Sequence, residues 1–179
     1  MFFKATEFNQ PLDDWNVASV TTMSNMFKQA DDFNQCLSTW AGKTPPNVNI
    51  GNIFISSDCP NTGAVSQTIG PWCQGDAEQC YAPPTSADDC TLCTSSTVIA
   101  ESDDFAAKVS DCHNNNNCPG GIPIGCWNTS EVTDMASAFF QLDFDDSINC
   151  WNVASVTTMR NMFFLASTFN QPINDWDVV

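Results

Sequence analysis

The sequence predicts an α/β solenoid of stacked coils, each with a short strand and a short helix, interrupted by a cysteine-rich irregular insert. Three observations predict it. The string WNVASVTTM at 15–23 recurs unchanged at 151–159. Tryptophans recur at a near-constant interval: Trp40 lies 25 residues after Trp15, Trp151 lies 24 after Trp127, and Trp176 lies 25 after Trp151. The residues between them also agree in phase. Val17, Val20, Met23, Met26, Phe27, Ala30 and Phe33 answer to Val153, Val156, Met159, Met162, Phe163, Ala166 and Phe169, and Trp127 opens a third series with Val132, Met135 and Phe139. A fixed period of this length is the mark of a repeat architecture.

Within one unit, Met23, Met26, Phe27 and Ala30 fall at i, i+3, i+4 and i+7. That spacing puts four apolar side chains on one face of a short helix, with the Thr22 hydroxyl placed to cap it. The stretch before it, Val17 to Thr22, is small and β-branched and reads as a strand. Phe-Asn-Gln, at 8–10, 33–35 and 169–171, returns the chain to the next tryptophan. One strand, one helix and one return form the build of a leucine-rich-repeat coil. A single coil cannot bury its own apolar face, so coils must stack. Trp15 with Trp40, and Trp127, Trp151 and Trp176, are then expected in columns. The Asn-Gln pairs are expected to form a polar ladder that satisfies turn backbone, with a sugar-binding strip as their second reading.

The pattern MFxxAxxFNQxLxxWxVxxVTxM, carried by residues 1–40 and 127–179, resembles the mycoplasma-lipoprotein-type surface repeat of BspA-family leucine-rich-repeat surface proteins. The resemblance covers about half of the chain. It implies a cell-surface or secreted protein, in some members linked to adhesion. It supplies no catalytic residues.

Three regions follow from the pattern. Residues 1–60 form a first repeat block, whose last coil is degenerate: Gly51-Asn52-Ile53-Phe54 aligns with Ser24-Asn25-Met26-Phe27. Residues 61–100 form an insert rich in Cys, Pro, Ser and Thr. Residues 101–179 form a second block. It opens on a short helix over Asp103 to Val109, with Ser102 or Asp103 as its cap, covering the edge before the Trp127 coil. The identical strings lie 136 residues apart, which is no multiple of the repeat, so the two blocks read as separate stacks. Both termini cut through a unit. These raw ends suggest a piece of a longer protein, or ends that pair with another chain in end-to-end self-association.

Composition bounds the function. The chain has 5 basic and 21 acidic residues, for a net charge of −16. Such a chain repels phosphate backbones, so no nucleic-acid partner is expected. No apolar run reaches the roughly 18–20 residues that span a bilayer, so no membrane insertion is expected in this segment. The 10 cysteines, even in number and clustered, point to disulfides in an oxidising compartment. The start, Met1-Phe2-Phe3-Lys4-Ala5, is no signal peptide, so a secreted reading treats the chain as a fragment.

Candidate chemistry is sparse. Cys90-Thr91-Leu92-Cys93 is a CxxC without the βαβ setting of a redox motif. Cys112, His113 and Cys118 are badly spaced for zinc. Disulfides are the favoured reading of all of these. Cys126 and Cys150 each precede a unit tryptophan. Equivalent positions on adjacent coils lie about 5 Å apart, inside the disulfide window, which predicts a Cys126–Cys150 bond. His113, the one histidine, reads as an exposed loop residue among Asn114 to Asn117. The acids Asp13, Asp14, Asp31, Asp32, Asp143, Asp145 and Asp146 read as turn residues, with weak calcium binding as their second reading. Asn128-Thr129-Ser130 is the one N-glycan sequon. Outward positions on the strand face are Ser19, Thr21, Glu131, Thr133, Ser155 and Thr157. The expectation is an extracellular or cell-surface module for protein or glycan binding or adhesion, without cofactor or metal, catalysing nothing. The alternatives are a structural coat or filament unit, or a glycan-processing enzyme using insert carboxylates such as Glu78 and Asp89.

Overall fold

A computed structural model describes residues 1–60, 72–73, 93, 96–100 and 104–178. The regular elements among them are few and short: α1 (Trp40–Lys43), β1 (Thr97–Val98), α2 (Phe105–Asn115), 3-10 turns at Pro119–Gly121 and Ile124–Cys126, and β2 (Trp127–Asn128). Most of the remaining described chain is turn.

The unit helix expected over 23–30 does not form, and neither does the unit strand. Residues 23–29 make a ribbon of linked turns whose N–H groups point two ways. Those of Met26, Lys28 and Ala30 bond back to the carbonyls of Met23, Asn25 and Phe27, while those of Met23, Asn25, Phe27 and Gln29 donate to Asn49, Gly51, Ile53 and Ile55 of the next coil. This requires left-handed backbone at two positions per coil. Asn25 and Gln29, Ser137 and Gln141, and Asn161 and Leu165 all have φ between 56° and 60°. Such a conformation costs about 1 kcal/mol or more for a residue with a Cβ, and the bonds to the neighbouring coil offset it. The inward side chains keep the spacing of a helix face: Met23, Met26, Phe27 and Ala30 are all buried. Strand character shrinks to single parallel bridges at Thr22–Asn49 and Asp134–Thr158.

The coils stack in register through columns of rings. Phe139, Phe163, Phe2, Phe27 and Phe54 form one column, with centroid spacings of 5.3, 5.4, 5.5 and 5.7 Å. Phe144, Phe169, Phe8 and Phe33 form a second, spaced 6.5, 6.0 and 6.0 Å. Trp151, Trp176 and Trp15 form a third, spaced 6.3 and 6.4 Å. Each offset-stacked pair adds roughly 0.5–1.5 kcal/mol beyond its burial. Every buried indole N–H must also find an acceptor. Trp151, Trp176, Trp15 and Trp40 donate to the carbonyls of Ile124, Ile148, Ile173 and Leu12, each in the preceding coil.

These columns fix the spatial order of the coils, and it is not the order of the sequence. The blocks do not form separate stacks. The first coil of the chain follows the last: Phe163 N–H donates to Met1, Leu165 N–H to Phe3, and Glu7 N–H to Ser167. The two half-units at the termini therefore meet each other inside one stack.

The two outer coils are covered differently. At one end α2 lays Phe105 edge-on against Trp127 and Trp151, at 6.0 and 5.3 Å, and buries Phe105, Val109 and Cys112. Its N-cap is Asp104, whose carboxylate accepts the Ala107 N–H. The cap thus lies beyond the expected Ser102 or Asp103, both outside the described residues. At the other end Trp72 is buried, meets Trp40 edge-on and bridges Leu37 antiparallel. Gly125 marks a close approach near the helix end, where a Cβ would overlap the Ser147 carbonyl oxygen.

Candidate functional site

The face carrying positions four and six residues after each tryptophan repeats from coil to coil. Ser19, Thr21, Glu131, Ser155 and Thr157 are exposed on it, and Thr133 is half-buried. Some hydroxyls tie coils together instead of standing free. Ser155 Oγ donates to the Ser130 carbonyl at 2.9 Å and Thr157 Oγ1 to the Thr133 carbonyl at 3.0 Å. Ser19 and Thr21 occupy the same positions without such a tie among the described residues.

On another face the Asn-Gln pairs form the expected ladder. Asp145 Oδ1 accepts the Asn170 N–H, Asn170 Oδ1 accepts the Asn9 N–H, and Asn9 Oδ1 accepts the Asn34 N–H. Gln10 and Gln35 brace it with side-chain N–H bonds to Asn170 and Asn9, and the Asn34 amide reaches Asp58 at 3.2 Å. Of the candidate carboxylates, Asp145 is engaged in this ladder and Asp13 in a tie of the same kind, as is Asp175 outside that set. Asp13 accepts the Ser38 hydroxyl and the Thr39 N–H of the next coil, and Asp175 accepts the Asn149 amide. Among the described residues no group of three or more His, Cys, Asp or Glu side chains gathers to hold a metal.

The cysteines correct one expectation. Cys126 bonds Cys93, with Cα atoms 5.5 Å apart, and not Cys150. The cause is β1: Thr97–Val98 pairs parallel with Trp127–Asn128 and takes the place of a coil before Trp127, carrying Cys93 beside Cys126. Cys150 is disulfide-bonded as well, as is Cys36. Cys59–Cys73 and Cys112–Cys118 complete the pairs between described cysteines. Cys93 and Cys112 are thus structural, and Cys90 lies outside the described residues, as do Glu78 and Asp89.

His113 is exposed, but it sits on the last turn of α2 and meets Phe144 edge-on at 6.0 Å. The Asn115 and Asn117 amides that follow donate to Asp111 and hold its carboxyl below the usual range. Asn128 is half-buried in β2, and its Oδ1 accepts the Ser130 N–H. Thr129 between them is fully buried and bonded to the Asn152 carbonyl.

Sequence reasoning missed one surface. The residue after each core phenylalanine faces outward, and Phe140, Phe164 and Phe3 form a stripe with ring spacings of 5.2 and 4.9 Å. Lys4 and Lys28 both lie over the Phe3 ring. Beside the stripe, Phe140 and Leu142 line a shallow groove against Ala106 and Ser110 of α2. The signal was present: three phenylalanines follow in-phase core phenylalanines directly, as Phe2-Phe3, Phe139-Phe140 and Phe163-Phe164.

Among known families, the one described as Mycoplasma protein of unknown function, DUF285, matches residues 1–66 and 105–179. The residues it skips fall within or beside the insert. No curated protein and no solved structure matches the chain. No helix among the described residues is long and apolar enough to cross a membrane.

Proposed function

This chain belongs to the DUF285 family, and we propose that it is an extracellular or cell-surface binding module of the BspA leucine-rich-repeat type, an α/β solenoid that engages protein or glycan and catalyses nothing. One observation carries the reading. The repeated residues recur as columns and ladders that join coil to coil, leaving an extended outer face on which Ser19, Thr21, Glu131, Ser155 and Thr157 lie exposed. A surface that repeats at each coil suits extended contact whose strength grows with the number of units engaged. Disulfide-bonded cysteines suit an oxidising compartment, and in a eukaryotic host Asn128 is the proposed glycan acceptor.

The test is a glycan and cell-surface binding panel probed with the chain as a monomer and as a tethered dimer. Weak monomer binding, raised strongly by tethering, is expected. Turnover of a polysaccharide or peptide, abolished by Asp89→Asn or Glu78→Gln, would overturn the reading in favour of an enzyme.

A further inference from the structure

The residue after each core phenylalanine faces outward, and in stack order these residues are Phe140, Phe164, Phe3, Lys28 and Ile55. Three large apolar side chains lie exposed among the described residues, and two of them, Phe140 at 40% and Ile55 at 38%, fall in this row. Phe164 and Phe3 are half-buried. Single apolar residues on a surface need no explanation, but a contiguous row marks an interaction site. At the Phe140 end α2 raises a wall, with Ala106 and Ser110 facing Phe140 and Leu142 across a groove of about 350 Å³.

Positive charge gathers at the same place. The chain has 5 basic residues against 21 acidic ones, and two of the five stand together here. The Lys4 and Lys28 ammonium groups lie 5.7 and 5.6 Å from the centre of the Phe3 ring, on adjacent coils joined by a bond from the Lys4 N–H to the Lys28 carbonyl. Neither lysine pairs with a carboxylate among the described residues. On so acidic a chain, two neighbouring lysines without acidic partners favour an anionic ligand. The rings decide its kind. Phe140 and Phe164 stack on each other at 10°, Phe164 meets Phe3 edge-on, and the lysines cover Phe3. The ring faces on which a sugar could stack are thus taken up. The ring edges carry partial positive charge and suit alkyl groups and carboxylates.

We propose that this row docks an amphipathic helix of a partner protein, with the apolar side chains of the helix on Phe140, Phe164 and Phe3 and an acidic turn at Lys28 and Lys4. This site rests on the reading of the chain as a binding module, and it narrows the partner to a protein. Spacing selects the helix. The coils beneath the row repeat every 5.3 to 5.7 Å, and one helical turn rises about 5.4 Å. Apolar residues at i, i+3, i+4 and i+7 therefore keep step with successive coils. Same-face residues of an extended segment are about 6.6–6.8 Å apart and fall out of step within three coils. The small side chains of Ala106 and Ser110 leave room for the guest beside α2.

The probe is the synthetic peptide SDEELAQLLAQLAQA, acetylated and amidated, titrated into the whole chain and followed by amide shifts in NMR. Its leucines share one helix face, and its acids fill the first turn behind a capping serine. Saturable shifts are expected at Phe3, Lys28, Phe140 and Phe164, and none at Ser19 or Thr21. Phe140→Ser, at an exposed position, should weaken binding about tenfold, the scale of an apolar anchor. Lys28→Glu should weaken this peptide and leave the acid-free peptide SQQQLAQLLAQLAQA unaffected; weakening of both alike would remove the lysines from the site. Three results would overturn the proposal: no saturable shifts up to the solubility limit, shifts outside the row, or equal binding of a peptide of the same composition whose leucines are spread around the helix. A glycan signal without peptide shifts overturns the docked helix and leaves the module standing. A glycan signal lost in Phe140→Ser would make the row a glycan site and also overturn the helix. Peptide shifts with a blank panel support the row and remove the reading of the Ser19 and Thr21 face.

Discussion

Two junctions in the stack share their aromatic geometry and differ in their covalent path. Between Phe139 and Phe163 the chain runs on through one repeat, with the rings 5.3 Å apart and parallel. Between Phe163 and Phe2 it does not run through, yet the rings lie 5.4 Å apart at 3°. Register is therefore set by ring columns, indole N–H bonds and the asparagine ladder, and not by the linker. The junctions differ in the other half of the coil. The continuous junction is bonded along its turn ribbon from Met135 to Gln141, while the terminal one is bonded only from Phe163 onward.

The largest test of that comparison removes a ring. Phe2 stacks on Phe8, Phe27 and Phe163, so Phe2→Ala should cost about 3–5 kcal/mol in urea unfolding. Phe27→Ala should cost a similar amount. Only Phe2→Ala should also speed exchange of the Phe163 and Leu165 amides, which close the terminal junction. If both variants leave those amides protected, the junction is held by something other than the column.

Somewhat smaller is the contribution of the bond at the helix end. Cys93–Cys126 closes a loop over a separation of 33 residues, worth roughly 3–4 kcal/mol in the chain-entropy account. Cys126→Ser should lower stability by that order and loosen β1, while the Phe163–Phe2 junction keeps its exchange protection. Peptide mapping without reduction should recover Cys93 linked to Cys126. A Cys126–Cys150 peptide would contradict the pairing of Thr97–Val98 with Trp127–Asn128.

Column positions were legible because burial is periodic: Trp15, Phe27 and Phe33 recur at fixed phase and are buried wherever they recur. The backbone was not. The i, i+3, i+4, i+7 burial of Met23, Met26, Phe27 and Ala30 is common to a helix and to a turn ribbon. Only the left-handed conformations at Asn25 and Gln29 separate them. The terminal junction stayed hidden because the insert breaks phase, and phase was the only guide to which coils touch. The disulfide partner was missed for a related reason, since Thr97–Val98 carries no repeat signature and yet pairs with the Trp127 coil. On the outer face exposure was foreseen for five of the six positions, but the bonds of Ser155 and Thr157 to the coil before depend on atomic register.

The smallest test compares two equivalent rungs of the asparagine ladder. Asn170 Oδ1 accepts from Asn9 N–H and from Gln10 Nε2 across the terminal junction. Asn9 Oδ1 accepts from Asn34 N–H and Gln35 Nε2 within continuous chain. Each alanine substitution strands a part-buried backbone N–H that water can partly reach, at a cost of about 1 kcal/mol. That corresponds to a shift of roughly 2–4 °C in Tm for a chain of this size. If register is set by side chains, Asn170→Ala and Asn9→Ala should cost the same within about 0.5 kcal/mol, the scale on which independent sites agree. A much cheaper Asn170→Ala would mean that the terminal junction opens on its own, and that covalent continuity stabilises a rung beyond what its rings and amides supply.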